Sequence, residues 1–275
     1  FHVPASASHY VEIDSDKEVR EALIYAQTNN LDILVLGGGS NMLFHNDFNG
    51  LVIKISSRGI AVLKDDGRKL EVVVEAGEIW HDFVLKSIDN GWGGLENLAL
   101  IPGCVGASPM QNIGAYGVDI KEVLSWVEAI EFKTGELKRF SLEECQLGYR
   151  DSIFKGELKG KWVIVRVAYN LDRESSFKTS YGAIENEISG INKTELTHRD
   201  IANAVIKIRN SRLPNPDLIG NAGSFFKNPV VSKTQFHNLK EAYPSIPTYP
   251  QNDGGFKLAA GWLIDTSGWK GHDRG

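Results

Sequence analysis

The sequence predicts an α+β fold in two domains, and three observations carry that reading. Short apolar runs of strand length outnumber helical patterns through the first 172 residues. These runs do not alternate regularly with helices, so they do not read as repeated βαβ units around one parallel sheet. A polar interval rich in Ser and Glu, Arg173 to Ile191, then separates them from a remainder with more helical character. The domain boundary is placed there, with one domain over 1–175 and a second over 176–275.

The elements follow in order. Ser15-Asp16-Lys17-Glu18 is a capping box opening a helix to about Gln27, with Val19, Leu23 and Ala26 on one face. Ile33–Leu36 reads as a fully buried strand that runs directly into Gly37-Gly38-Gly39-Ser40-Asn41. Leu51–Ile55 and Leu70–Glu75 are further strands, and Ile79–Ile88 is a helix stopped by Asn90-Gly91. Val127–Phe132 and Leu137–Phe140 flank Lys133-Thr134-Gly135 as a hairpin, and Val163–Leu171 is one more strand. Thr197 caps a helix with Asp200 at its third position and Ile201, Val205 and Ile208 inward. Ser232 caps another, with Phe236, Leu239 and Tyr243 inward, and Lys257–Ile264 reads as a last helix.

Bulk properties exclude several classes. A formal charge of −5 gives no reason to expect nucleic acid or an anionic membrane as partner. No apolar run approaches the roughly 18 residues of a spanning helix, and FHVPASASHY is not a signal peptide. Two cysteines, Cys104 and Cys145, suit a reducing compartment better than a disulfide framework. The seven histidines are scattered without HExxH or paired Cys/His spacing, so no metal site is expected. The first residues read as the middle of a strand and the last complete no element, so the chain is expected to be cut at both ends.

Four stretches could carry chemistry. Leu95–Gly117, LENLALIPGCVGASPMQNIGAYG, is too apolar for a solvated loop and too broken by Pro and Gly for a helix or strand. It reads equally as backbone brought close to a flat or phosphorylated ligand or as a buried connection between layers. Gly37–Asn41 follows a strand, where amide groups converge on phosphates, yet it fits neither GxGxxG nor the Walker pattern, and a tight turn is the alternative. In Gly148-Tyr149-Arg150-Asp151-Ser152 an arginine lies among apolar residues. It could grip a carboxylate in bidentate fashion or pair with Asp151, Glu143 or Glu144. In Gly220–Pro229 two glycines precede Ser224, two aromatics follow it to exclude water, and Lys227 and Asn228 offer donors; it is not a GxSxG elbow. Tyr181 sits in the polar interval, able to close over a ligand or simply to pack.

Five strings, LGGGSNMLF (36–44), GLENLALIPGCVGASPMQNIGAYG (94–117), GYRDSIFK (148–155), LPNPDLIGNAGSFFKNPVV (213–231) and YPQNDGGFKLAAGWLID (249–265), together resemble the UDP-N-acetylenolpyruvoylglucosamine reductases. The resemblance implies an FAD-binding domain of the vanillyl-alcohol-oxidase/p-cresol-methylhydroxylase type over 1–175, in subdomains of about 1–56 and 57–175. A substrate-binding domain, truncated at its C-terminal end, would follow. It implies FAD cradled by Gly37, Gly38, Gly39, Ser40 and Asn41 and by Pro102, Gly103, Gly106, Ala107, Ser108, Asn112, Gly114, Ala115, Tyr116 and Gly117. NADPH would be the co-substrate and an enolpyruvyl UDP-sugar the substrate, in the cytoplasm and in a monomer. By the same resemblance Arg150 and Ser224 are the catalytic residues, and Tyr181, Arg212, Asn228 and Tyr249 bind substrate. Arg212 stands where the family pattern has lysine. The family's third catalytic residue, a glutamate in a closing segment, has no counterpart within these 275 residues.

Overall fold

A computed structural model of the chain describes residues 3–174, 177–216, 218–221, 223, 225–251 and 254–272. The chain forms two compact units, Phe1–Asn221 and Ala222–Gly275.

The first unit is built on two sheets. The smaller contains β1 (Ala7–Ile13), β2 (Asp32–Leu36) and β3 (Phe48–Ile55), parallel, in the order β1-β3-β2. Helix α1 (Asp16–Thr28) connects β1 to β2 and buries Val19, Ala22, Leu23 and Ala26. Half of the expected capping box forms: the Ser15 side chain accepts the N–H of Glu18, but the Glu18 carboxylate accepts the N–H of Asp14 instead of that of Ser15. Strand β2 is not fully buried. It lies at a sheet edge and is half-buried from Ile33 to Leu36, whereas central β3 carries the buried run Gly50–Ile53. An apolar tetrapeptide fits either position, so the pattern alone does not distinguish edge from centre.

The larger sheet contains β4 (Ile60–Asp65), β5 (Lys69–Glu75), β8 (Leu124–Glu131), β9 (Leu137–Ser141) and β10 (Trp162–Asp172), antiparallel in the order β4-β5-β10-β8-β9. Between β5 and β8 lie α2 (Trp80–Asp89) and the two-residue strands β6 (Gly114–Ala115) and β7 (Val118–Asp119). Strand β10 is the middle of this sheet and is buried on both faces, which suits its run of Val, Ile and Ala. Its Tyr169 is wholly buried against Trp80 and Phe83, with ring centroids 5.9 and 5.3 Å away.

Charge ties the two sheets together. Arg166 of β10 meets Asp16 at the start of α1 at 2.7 Å and Glu128 of β8 at 2.6 Å, with Glu75 at 3.6 Å. Arg20 of α1 also donates to the Gly135 carbonyl in the β8–β9 turn at 3.0 Å.

Helices α3 (Gly182–Ile188) and α4 (His198–Arg212) lie beyond the sequence boundary at 175 but belong to the first unit. Thr197 and Asp200 close the expected capping box of α4. The apolar face of α4, Ile201, Val205 and Ile208, is buried, and the helix packs on the single helical turn Glu96–Leu98.

The second unit holds β11 (Val230–Val231), α5 (Lys233–Ala242), β12 (Thr248–Pro250), β13 (Phe256–Leu258) and α6 (Ala260–Thr266), with strand order β11-β13-β12. The expected helix over Lys257–Ile264 is thus a strand followed by a helix. Phe256 stacks on Phe236 of α5 at 3.9 Å and Leu258 is buried, a period of two. Helix α6 begins only at Ala260, whose N–H donates to Asn228 Oδ1 at 2.9 Å.

Candidate active site

The two glycine-rich strings meet. A Cβ on Gly38 would lie 3.2 Å from the Cα of Gly103, and one on Gly37 would lie 3.4 Å from the Cβ of Cys104. The turn after β2 therefore packs closely on the Pro102–Cys104 segment, most tightly at Gly38, where a Cβ would crowd the Gly103 backbone. Beside this contact is a cavity of about 570 Å³, lined by Gly37, Gly38, Ser56, Gly77 and Cys104 and by two cations, Lys54, which pairs with the lining Glu12 at 2.9 Å, and Arg58, which pairs with Glu78 at 3.5 Å. A second groove of about 530 Å³ between β1 and α1 is lined by Glu12, Glu18 and Glu21 and suits a dinucleotide poorly. The first cavity has the cations, bare backbone and depth that a flavin dinucleotide's diphosphate needs, so the residues present fit that group.

Part of Leu95–Gly117 is the buried connection that the sequence allowed. Leu95, Leu98, Ala99 and Val105 are fully buried, as a connection between layers requires. Pro102, Gly103, Gly106, Ala107, Gly114, Ala115, Tyr116 and Gly117 remain half-buried or exposed along the other side. Two of the expected cofactor residues face inward instead. Ser108 is 1% exposed and shares a 2.7 Å hydrogen bond with Tyr169 Oη. Asn112 is 3% exposed; its Nδ2 donates to the Gly148 carbonyl and its Oδ1 accepts the Lys121 N–H, both at 3.0 Å. Their side chains position the segment rather than line its open side.

Arg150 occupies the third position of a tight turn closed by Gly148 and Asp151, whose N–H groups each donate to the other's carbonyl at 3.0 and 3.3 Å. Its φ is 55°, the left-handed region, which costs an arginine about 1–2 kcal/mol. Non-glycine residues held there gather at functional sites, and Leu100, Asn112 and Tyr116 share the property. The carboxylates expected as structural partners are used elsewhere. Glu144 pairs with Lys138, Glu143 accepts from the Ser141 hydroxyl, and Asp151 accepts the Ser152 N–H. Among the described residues none forms an ion pair with Arg150.

Around Tyr116 the structure brings together Tyr181, Arg212, Arg209 and, next to Arg209, Arg150. The Tyr181 ring stands edge-on to Tyr116 at 5.3 Å. Its segment is fixed by Asn97, a buried side chain whose Nδ2 donates to both the Tyr116 and Lys178 carbonyls at 3.0 and 2.9 Å. Arg209, three residues before Arg212 on α4, was not singled out in the sequence. Its guanidinium contacts the Tyr116 hydroxyl, yet its buried Nε has no hydrogen-bond partner. Burial lowers the pKa of Arg209 from its usual value, with Tyr116 opposing. Burial likewise raises the Tyr116 hydroxyl despite the nearby arginines. Three cations converge here with no carboxylate among the described side chains to neutralise them, an arrangement that suits an anionic ligand. The i, i+3 spacing of Arg209 and Arg212 was the available sequence signal.

In the second unit, Asn228 spends its Oδ1 on the start of α6, and Tyr249 stands half-exposed on β12. Ser224 lies outside the described residues. Phe225 and Phe226, expected to exclude water behind it, are 71% and 64% exposed and contact each other edge-on at 5.2 Å. Among the described residues no group of three or more His, Cys, Asp or Glu could hold a metal ion.

The family profile of the FAD binding domain matches residues 7–141, and that of the UDP-N-acetylenolpyruvoylglucosamine reductase C-terminal domain matches residues 214–275. A UDP-N-acetylenolpyruvoylglucosamine reductase of Pseudomonas putida is 49% identical over 275 residues, covering 100% of this chain and 81% of its own length. The chain belongs to this reductase family. The reductase of Amoebophilus asiaticus is 45% identical, covering 99% of the chain and 80% of its own length. The MurB crystal structure from Thermus caldophilus superposes with a TM-score of 0.60 at 22% identity, covering 94% of this chain and 73% of that one, and shares its fold. The first unit thus contains an FAD-binding domain, and the cofactor is FAD.

Proposed function

We propose that this protein reduces the enolpyruvyl ether of UDP-N-acetylglucosamine to UDP-N-acetylmuramate at the expense of NADPH. The observation that carries the reading is the cluster of Arg209 and Arg212 at Tyr116, with Arg150 next to Arg209, beside the Pro102–Gly117 segment. Bound FAD would supply the hydride chemistry, with NADPH as the reductant and the substrate's terminal enol carbon as the acceptor. The Gly37–Asn41 turn and the open side of Pro102–Gly117 hold the cofactor, with Ser108 and Asn112 bracing that segment from behind.

Hydride addition leaves negative charge on the adjacent carbon and its carboxylate. Arg150, its guanidinium held by a strained turn and free of carboxylate competitors among the described residues, stabilises that charge. The Ser224 hydroxyl delivers the proton that completes the reduction. A hydroxyl is a weak acid, and it can serve only because the acceptor is strongly basic. Tyr181 and Arg212 take the diphosphate, Arg212 with a fork where a lysine would offer a point charge. Asn228 and Tyr249 belong to the same substrate set. The reading extends to residues 1–175 as the FAD portion and 176–275 as the substrate portion. It also includes a place in peptidoglycan precursor synthesis and hence cell shape and division, a cytoplasmic location, a monomer, and no nucleic-acid or membrane partner. No helix among the described residues is long and apolar enough to cross a membrane.

The test is an anaerobic absorbance experiment on the flavin-loaded chain. Bleaching of the flavin band by NADPH, and its return on addition of the enolpyruvyl UDP-sugar, is expected. Bleaching without return would refute the substrate. Oxygen consumption with no requirement for NADPH would favour a flavin oxidase on the same fold.

A further inference from the structure

His81 is the second residue of α2 and is half-buried. Its Nδ1 accepts the N–H of Leu100 at 3.0 Å. Leu100 has φ 58°, a conformation that costs a leucine about 1–2 kcal/mol and needs outside support. It is the residue at which the chain leaves the helical turn at Glu96–Leu98 and turns toward Pro102 and Gly103. Trp80 adds two bonds to the same segment. Its backbone N–H donates to the Gly103 carbonyl at 3.0 Å, and its indole N–H donates to the Leu98 carbonyl at 2.9 Å. Of these three bonds, only the one at Leu100 depends on an acceptor that titrates. An imidazole accepting at Nδ1 carries its proton on Nε2; once protonated, both nitrogens donate and the Leu100 N–H loses its partner.

We propose that His81, as the neutral imidazole, is a positioning residue that holds the Leu100 turn and through it the Pro102–Gly117 segment in its cofactor-binding shape. The inference rests on the reading of that segment as the flavin cradle. The groups facing His81 are Asp82 from its own helix and Arg199 and Arg209 from α4. Burial, with the two arginines, outweighs Asp82 and holds the imidazole's pKa below the ordinary histidine value. The support is therefore present at neutral pH and is lost as pH falls through that lowered value.

The experiment titrates apoprotein with FAD at about pH 8 and about pH 5.5 for the wild type, His81→Asn and His81→Leu, and follows exchange of the Leu100 amide without FAD. The asparagine Oδ1 replaces Nδ1 as acceptor but does not titrate. The wild-type dissociation constant should rise by about tenfold per pH unit once His81 is protonated, while His81→Asn should show a flat profile. His81→Leu should bind weakly at both pH values and lose Leu100 amide protection. Wild-type affinity in His81→Leu at the higher pH, or an unchanged pH dependence in His81→Asn, would overturn the proposal. If His81→Leu does not fold, the comparison of His81→Asn with wild type still decides. Failure of every protein to bind FAD, with Leu100 protection following the pattern above, would instead overturn the cradle reading and leave His81 as the support of the turn.

Discussion

The side-chain amide of Asn112 donates to the backbone carbonyl of Gly148 at 3.0 Å, joining the Pro102–Gly117 segment to the turn that carries Arg150. The same side chain accepts the Lys121 N–H, and Asn112 itself is left-handed at φ 46°. One buried residue thus sets where the segment and the arginine lie relative to each other.

Replacing Asn112 with alanine takes the Lys121 N–H's side-chain acceptor away and leaves the Gly148 carbonyl only the longer 3.3 Å bond from the Asp151 N–H. Each unmade bond of this kind costs about 1–3 kcal/mol. A clear drop in melting temperature is expected. Turnover in the flavin-loaded variant should fall further than its flavin content does, because the misplaced group is Arg150. Equal losses of flavin and turnover would show that Asn112 serves the cofactor alone.

Arg150 offers a separation of stability from activity. Glycine adopts φ 55° without the steric cost of about 1–2 kcal/mol borne by arginine, against a loss of about 0.4–1 kcal/mol to the freer unfolded chain. The melting temperature of Arg150→Gly should be unchanged or slightly raised. Stopped-flow traces should retain flavin reduction by NADPH and lose reoxidation by the sugar substrate. Arg150→Lys, which keeps the charge but not the fork, should reoxidise slowly.

Acid should weaken the large sheet. A hydrogen bond from Ser125, with Lys64 and Trp126, holds Glu71 below its ordinary carboxylate value against burial. At Glu128 burial raises the pKa, but Arg166 and Arg139 outweigh it and the net direction is down. Groups lowered on folding contribute stability above the unfolded value of 4.5 and lose it as pH falls through the folded value. Glu75, raised chiefly by burial, acts in the opposite sense and offsets part of the effect. Urea midpoints should therefore fall as pH drops below about 4.5, and Glu128→Gln should show a shallower decline.

The two thiols should differ in reactivity. Burial, with Glu143 and Glu144 adding to it, pushes the Cys145 thiol up to about 12, so it should stay silent until the protein unfolds. Burial also raises Cys104, but that residue lines the glycine-flanked cavity and is half-exposed. Native protein should therefore react slowly at one thiol and unfolded protein at two. Saturating FAD should protect Cys104; labelling unaffected by FAD would place the dinucleotide elsewhere.

Much of the first unit was legible because it rests on local rules. Ser15 and Thr197 announced their helices through capping chemistry, whereas the glycine strings suggested backbone brought close to a ligand and did not foretell their packing on each other. The edge position of β2 was not legible, since Ile33–Leu36 carries no mark separating edge from centre. Lys257–Ile264 misled because a short strand and a short helix joined end to end imitate one apolar helix. The inward roles of Ser108 and Asn112 required knowing that Tyr169 and Gly148 lie behind them, 61 and 36 residues away. Arg209 was missed for the same reason: an arginine on a helix reads as solvated until Tyr116 is placed against it.

The ion cluster at Arg166 bears on cooperativity. Asp16 opens the helix over the small parallel sheet, while Glu75, Glu128 and Arg166 belong to three adjacent strands of the large one. Removing either sheet would strand a half-buried guanidinium or carboxylate, which is strongly unfavourable. Neither sheet then has a low-energy path to melt alone, so residues 7–172 should give one sharp calorimetric transition. Holding the glycine turn after β2 against the segment from Pro102 then draws on the stability of both sheets at once.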